Sequence, residues 1–222
     1  RSLMHLEVFT PTVTFAVMAL VTILAFSLAV RLDAQVVAVL GMLGGFVTPV
    51  LMATGEDRPG ALFSYVALLD AGLLAVVWRR RWDYLAPLAA LGTVLLQIGW
   101  LLQFFQPGAL GTAQLILLGF PGLFLGIFIV AVRRNWDSLL LAAGTSGLAL
   151  YALLQCFRFM ANAELAAQPG GLFLIAFGAD LVLLGVVAFR PRLRLLESAG
   201  GASVFLLLGV WTVWRLTEAL VP

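Results

Sequence analysis

The chain has 222 residues, 63% of them hydrophobic and only 11% charged, where an ordinary soluble domain carries roughly 25% charged. A soluble fold has no way to hide that much apolar surface, so a water-soluble globular protein is excluded. The net charge is +2 and all thirteen basic residues are arginine; the isoelectric point near 9.2 reports where a few arginines sit, and no basic face is free to take up nucleic acid.

A helix must offer about 20 apolar residues to cross a hydrocarbon core ~30 Å thick, and eight windows do so. The first runs from Val8 to Val30 and ends at Arg31. The second, Gln35 to Ala53, contains Gly44-Gly45-Phe46-Val47-Thr48-Pro49 and is followed by the charged group Glu56, Asp57 and Arg58. The third, Ala61 to Trp78, carries Ser64, Tyr65 and Asp70 and ends in Arg79-Arg80-Arg81; the fourth, Tyr84 to Phe105, carries Gln97 and Gln103. The fifth, Thr112 to Val132, holds Gln114 and ends in Arg133-Arg134, and the sixth, Ser138 to Phe157, holds Gln155 and Cys156. The seventh, Gly171 to Phe189, has Asp180 at its middle and ends in Arg190, Arg192 and Arg194; the eighth runs from Ser198 to Leu220. The expected fold class is an all-α polytopic transmembrane helix bundle. Its eight spans make four hairpins, about 8–53, 61–105, 112–157 and 171–220, in one integral membrane domain covering 1–222.

Charge placement supplies an orientation. Arg31, the 79–81 triplet, Arg133 with Arg134, and the 190, 192 and 194 set fall in connections 1-2, 3-4, 5-6 and 7-8, all on one side of an eight-span chain. Cationic short loops stay in the cytoplasm, so both ends of the chain are expected on the outer face. Trp78, Trp82, Trp100, Trp136, Trp211 and Trp214 lie at or near expected helix ends, where an amphipathic ring prefers the headgroup region; an interfacial belt accounts for all six.

The chain also repeats itself. A shift of 110 residues lays Pro59-Gly60 on Pro169-Gly170, Asp70 on Asp180 and Arg80 on Arg190, and a shift of 54 lays Arg79-Arg80-Arg81-Trp82-Asp83 on Arg133-Arg134-Asn135-Trp136-Asp137. The unit is a two-helix hairpin. Copies containing an even number of crossings keep the same orientation, related by an axis along the membrane normal. Duplication of a hairpin that inserts readily explains such a repeat without any transport function.

From Phe15 to Phe105 the residues support a comparison of their own. The stretches are Val39-Leu40-Gly41-Met42-Leu43-Gly44-Gly45-Phe46-Val47-Thr48-Pro49-Val50-Leu51, then Thr54-Gly55, then Ala61 to Leu74, and finally Trp78-Arg79-Arg80-Arg81-Trp82. They resemble a bacterial family of polytopic membrane proteins, domain of unknown function 2339. The resemblance implies a bacterial inner (cytoplasmic) membrane address and no reaction. Members are usually much longer, and with Arg1 at its start this chain is expected to be a piece, or a short relative, of a longer parent.

Two carboxylates lie mid-span, Asp70 and Asp180, at a depth where a charge costs on the order of 3 kcal/mol on insertion scales. Each is either carried as the neutral acid or faces polar neighbours, for which Gln97, Gln155, Tyr65 and Thr48 are the leading candidates, with Gln103, Gln114 and Ser64 behind them. A proton relay or solute site and a pair of helix-to-helix hydrogen bonds are both open. Gly44, Gly45 and Pro49 put a helix breaker in the second span: it either exposes backbone to a ligand or is satisfied by a neighbouring helix. Gly41 with Gly45, and Gly122 with Gly126, have the small-xxx-small spacing of close helix packing.

His5 is the lone histidine and Cys156 the lone cysteine, so no haem, zinc or iron-sulfur ligand set can be assembled from them. No cofactor is expected. Without lysine, Schiff-base chemistry is excluded, and the short loops carry no phosphate loop, triad or clustered carboxylate pair. The chain is not expected to be an enzyme. Its expected role is non-enzymatic binding or transport of a small or amphiphilic solute of unknown identity, or else that of a scaffold or accessory subunit. The expected partners are the lipid bilayer and, for a scaffold, other membrane proteins or the rest of a longer chain.

Overall fold

Proline has no N–H to lose at the first position of a helix, and two of the long helices begin on one, at Pro59 and Pro169. The computed structural model describes residues 34–51, 57–190 and 193–220, with positions 17, 20, 21 and 24. Every regular element among them is helical: α1 (Gln35–Leu51), α2 (Pro59–Arg80), α3 (Leu85–Gln103), α4 (Leu110–Arg133, entered through a 3-10 turn at Pro107–Ala109), α5 (Leu139–Met160), the short α6 (Ala163–Ala166), α7 (Pro169–Phe189) and α8 (Arg194–Leu220).

Among the described residues, five helical stretches are long and apolar enough to cross a membrane: Pro59–Arg80, Leu85–Gln103, Pro107–Arg133, Leu139–Met160 and Pro169–Phe189. They coincide with five of the eight expected windows. Gln35–Leu51 and Gly200–Val213, the latter within α8, are apolar but shorter. The window from Val8 to Val30, its corner at Arg31, and Arg192 fall outside the described residues, four isolated positions apart.

Local sequence sets the helix ends. Ser138 Oγ accepts from Leu141 N at 3.1 Å and caps α5. At the other end of α2, Arg81 takes a left-handed conformation (φ 59°) and its N–H bonds Val77 O, the single-bond form of the left-handed cap. Asn135, just after α4, is left-handed too (φ 55°). There Trp136 N reaches Ala131 O at 3.0 Å and Asn135 N reaches Val132 O at 2.9 Å, the paired bonds of a Schellman motif. Trp82 and Trp136, next in sequence after these two residues, are both buried.

The chain divides into two compact units, Arg1–Leu85 and Ala86–Pro222. In the first, α1 and α2 pack antiparallel. Gly45 lies against Leu69, where a Cβ would stand 2.8 Å from Leu69 Cδ1, and Tyr84 Oη donates to Gln35 Oε1 at 3.5 Å.

In the second unit α5 and α7 form the centre, with α4 and α8 packed against α7. Phe124, Phe128, Leu141, Leu148, Leu172 and Ile175 are fully buried there. Gly171, Gly178 and Gly185 recur every seventh residue on α7 and receive Leu110, Leu118 and Leu125 of α4, whose methyl groups would stand 2.6, 2.6 and 3.0 Å from an added Cβ. Small residues of this kind let membrane helices approach closely. An ion pair between Arg190 and Asp137 joins the corner after α7 to the corner before α5. Leu115, Leu154, Leu181 and Phe205 point outward and are exposed, as residues facing hydrocarbon would be.

Candidate functional site

In the first unit the helix-breaking run is built into a continuous helix. α1 passes through Gly44, Gly45 and Pro49 without interruption. Pro49 lacks the N–H that would bond the carbonyl four residues earlier, and that carbonyl belongs to Gly45. Tyr65 Oη of α2 donates to it at 3.1 Å, so a neighbouring helix supplies the missing donor. Thr48 Oγ1 turns back to Gly44 O at 2.7 Å. Asp70 lies one turn and a residue beyond Tyr65, is 0% exposed, and is the twelfth residue of a 22-residue helix. Ser64 is on the exposed side of α2.

In the second unit Asp180 is the twelfth residue of α7, as Asp70 is of α2. Its carboxylate packs onto Gly200 of α8, in the space a Cβ there would take. Gln114 Nε2 donates to Gly171 O at 3.1 Å, which commits it to the α4/α7 seam. Gln103 is exposed at the end of α3.

The remaining two candidates are brought to one level. A Cβ on Gly144 of α5 would stand 3.1 Å from Ala86 O of α3, and near the other end Arg158 Nη2 of α5 donates to Leu101 O of α3 at 3.4 Å. The two helices therefore run parallel, with α5 contacts 58 and 57 residues further along the sequence than their α3 mates. At that offset Gln155 is level with Gln97. Gly144, Tyr151, Gln155 and Arg158 share one face of α5 by helical spacing, and Ala86, Ala90, Thr93, Gln97 and Trp100 form the buried stripe of α3. Gln97 is 1% and Gln155 4% exposed. Gln97 Nε2 has no acceptor and Gln155 Oε1 no donor among the described residues. The Tyr151 hydroxyl lies within side-chain hydrogen-bonding reach of Gln155 and feels the charge of Arg158, although neither Tyr151 Oη nor Gln155 Oε1 has a partner at good hydrogen-bond geometry.

Sequence reasoning picked out Gln97 and Gln155 by type but passed over Thr93, Tyr151 and Arg158. The seven-residue spacings Ala86-Thr93-Trp100 and Gly144-Tyr151-Arg158 were the available signal. Among the described residues no three of His, Cys, Asp and Glu gather as metal ligands would.

The family model described as predicted membrane protein (DUF2339) matches residues 2–217. The chain belongs to that family. For this DUF2339 chain the match reaches well beyond the stretch from Phe15 to Phe105 and takes in the α3/α5 seam and Asp180. None of the curated proteins and none of the solved structures matches the chain.

Proposed function

We propose that this DUF2339 chain is a non-enzymatic, multi-pass protein of the bacterial inner membrane that binds or passes a small or amphiphilic solute, with Asp70 and Asp180 as the polar centres of its two units. The observation that carries this reading is Asp70, a carboxyl with 0% exposure at the midpoint of a membrane-length helix. Ionisable groups at that depth are expensive, and they mark solute and proton paths in membrane proteins. Asp180 supports it, because Gly200 leaves room against α8 for its carboxylate.

The orientation we favour places the arginine-rich corners in the cytoplasm and both ends of an eight-span chain outside. The Arg190 and Asp137 ion pair supports a common side for two of those corners. A fourfold hairpin repeat is supported by the matched proline starts of α2 and α7, the aspartate eleven residues after each, and the left-handed residues Arg81 and Asn135 that precede buried tryptophans.

The second reading is a scaffold or accessory subunit. Gly119, Gly122 and Gly126 on the outer side of α4 have open space around them, which favours contact with another membrane helix. Liposomes holding the wild type, Asp70→Asn, Asp180→Asn and the double variant separate the two. The amide keeps hydrogen-bonding capacity without the charge, so folding should persist while pH-driven uptake falls. Wild-type flux that survives in the double variant removes the aspartates from any transport role and puts the scaffold reading ahead.

A further inference from the structure

The α3/α5 seam stands apart from both aspartates. It holds, at one level, a donor without an acceptor and an acceptor without a donor: Gln97 Nε2 and Gln155 Oε1. Buried polar atoms with no partner are rare in folded proteins, and each calls for an explanation. No hydrogen bond joins these two atoms to each other, although such a bond would satisfy both at once. What both lack is a small group that accepts on one side and donates on the other.

We propose that Gln97 and Gln155 hold between them a neutral molecule that both accepts and donates a hydrogen bond, a chemistry shared by water and by small primary amides. Neutrality follows from the lining. Neither amide is charged, and the cation on the same face, Arg158, is engaged with the Leu101 carbonyl at 3.4 Å. Small size follows from the two ends of the seam. At Gly144 the α3 backbone comes within van der Waals reach of α5. At the opposite end Phe105 stacks on Phe159 with ring centres 4.8 Å apart, and Trp100 meets Phe105 edge-on at 6.1 Å. Tyr151, one turn before Gln155 on the same face, adds a hydroxyl able to donate to the same occupant. Ser146 lies on the opposite side of α5 by helical spacing and does not contribute.

The test is side-chain amide NMR of the full chain, 15N-labelled at glutamine, in lipid nanodiscs. There are seven glutamines, few enough to assign by single substitution. The proposal expects the Gln97 amide protons either to cross-relax with water or to shift saturably on titration with acetamide, and the Gln155 amide to respond in parallel. Cross-relaxation without an acetamide shift identifies water as the occupant; a saturable shift identifies an amide solute. Gln97→Leu should abolish the response at Gln155, and Gln155→Leu the response at Gln97. The proposal is overturned if wild-type Gln97 and Gln155 cross-relax only with each other, or if acetamide shifts persist in either variant. The wild-type spectrum decides the matter even if a leucine variant fails to fold.

Discussion

Removing the Tyr65 hydroxyl tests how a proline is tolerated in α1. Pro49 deprives the Gly45 carbonyl of its helical donor, and Tyr65 Oη supplies another at 3.1 Å from a side chain only 7% exposed. Tyr65→Phe leaves that carbonyl in the protein interior without its donor. Orphaning a buried acceptor costs about 1–3 kcal/mol, whereas hydrogen bonds between membrane helices average about 0.6 and reach about 1.7 kcal/mol. Where the two ranges overlap, near 1 kcal/mol, the folding equilibrium constant falls about fivefold. The same substitution in a Pro49→Ala background should cost only a few tenths of a kcal/mol, because an alanine there restores the backbone N–H. The assay is reversible unfolding in mixed micelles of rising SDS fraction for all four proteins of the cycle, with the coupling taken as the difference between the two Tyr65→Phe effects. Equal losses with and without Pro49 would refute the idea that Tyr65 stands in for the missing donor.

Three further outcomes can be checked. Gly178→Ala puts a Cβ 2.6 Å from Leu118 Cδ2, the end of a side chain able to turn aside, and should destabilise by about 1 kcal/mol, the low end of overpacking costs, while Gly122→Ala, with nothing within 4 Å, should be neutral or stabilise by up to ~1 kcal/mol; thermal melts in detergent compare them. Arg81→Gly should raise the melting point, since relief of a left-handed arginine (φ 59°) outweighs glycine's entropy by about 0.5–1 kcal/mol. With Cys156 removed, cysteine placed at Asp57 should label with an impermeant thiol reagent in intact cells and cysteine at Asn135 should not; labelling at both, or at position 135 alone, would overturn the proposed topology.

Span positions were legible because apolar length is a property of one segment alone. The five membrane-length helices and their starts at Pro59, Ser138 and Pro169 follow from local sequence. Partner choice is a property of two segments, and there the sequence was mute. Small-xxx-small spacing pointed equally to Gly45 and to Gly122 with Gly126, yet Gly45 meets Leu69 while Gly122 and Gly126 face open space. The glycines that seat α7 on α4 recur every seven residues, a pattern that names a shared face but not what covers it. Pro49 left two outcomes open until Tyr65, sixteen residues further on, was seen to reach the Gly45 carbonyl. Gln97 and Gln155 could be picked by polarity alone, but only the parallel course of α3 and α5 sets them at one level. Arg158 follows directly on the sixth expected window, which ends at Phe157, and its hold on the Leu101 carbonyl needed the fold.

The leucine-into-glycine seam between α4 and α7 has a thermodynamic consequence. When two leucines interlock, both lose rotamers, at about 0.5–1 kcal/mol each, whereas glycine has none to lose. At Gly171, Gly178 and Gly185 only the α4 partner is immobilised. Within lipid, where expulsion of water contributes nothing to helix association, halving the disorder surrendered at each contact becomes a substantial share of what keeps two helices together. The arrangement is also asymmetric: α4 carries the side chains that must settle, while α7 offers a surface that is preformed before its partner arrives.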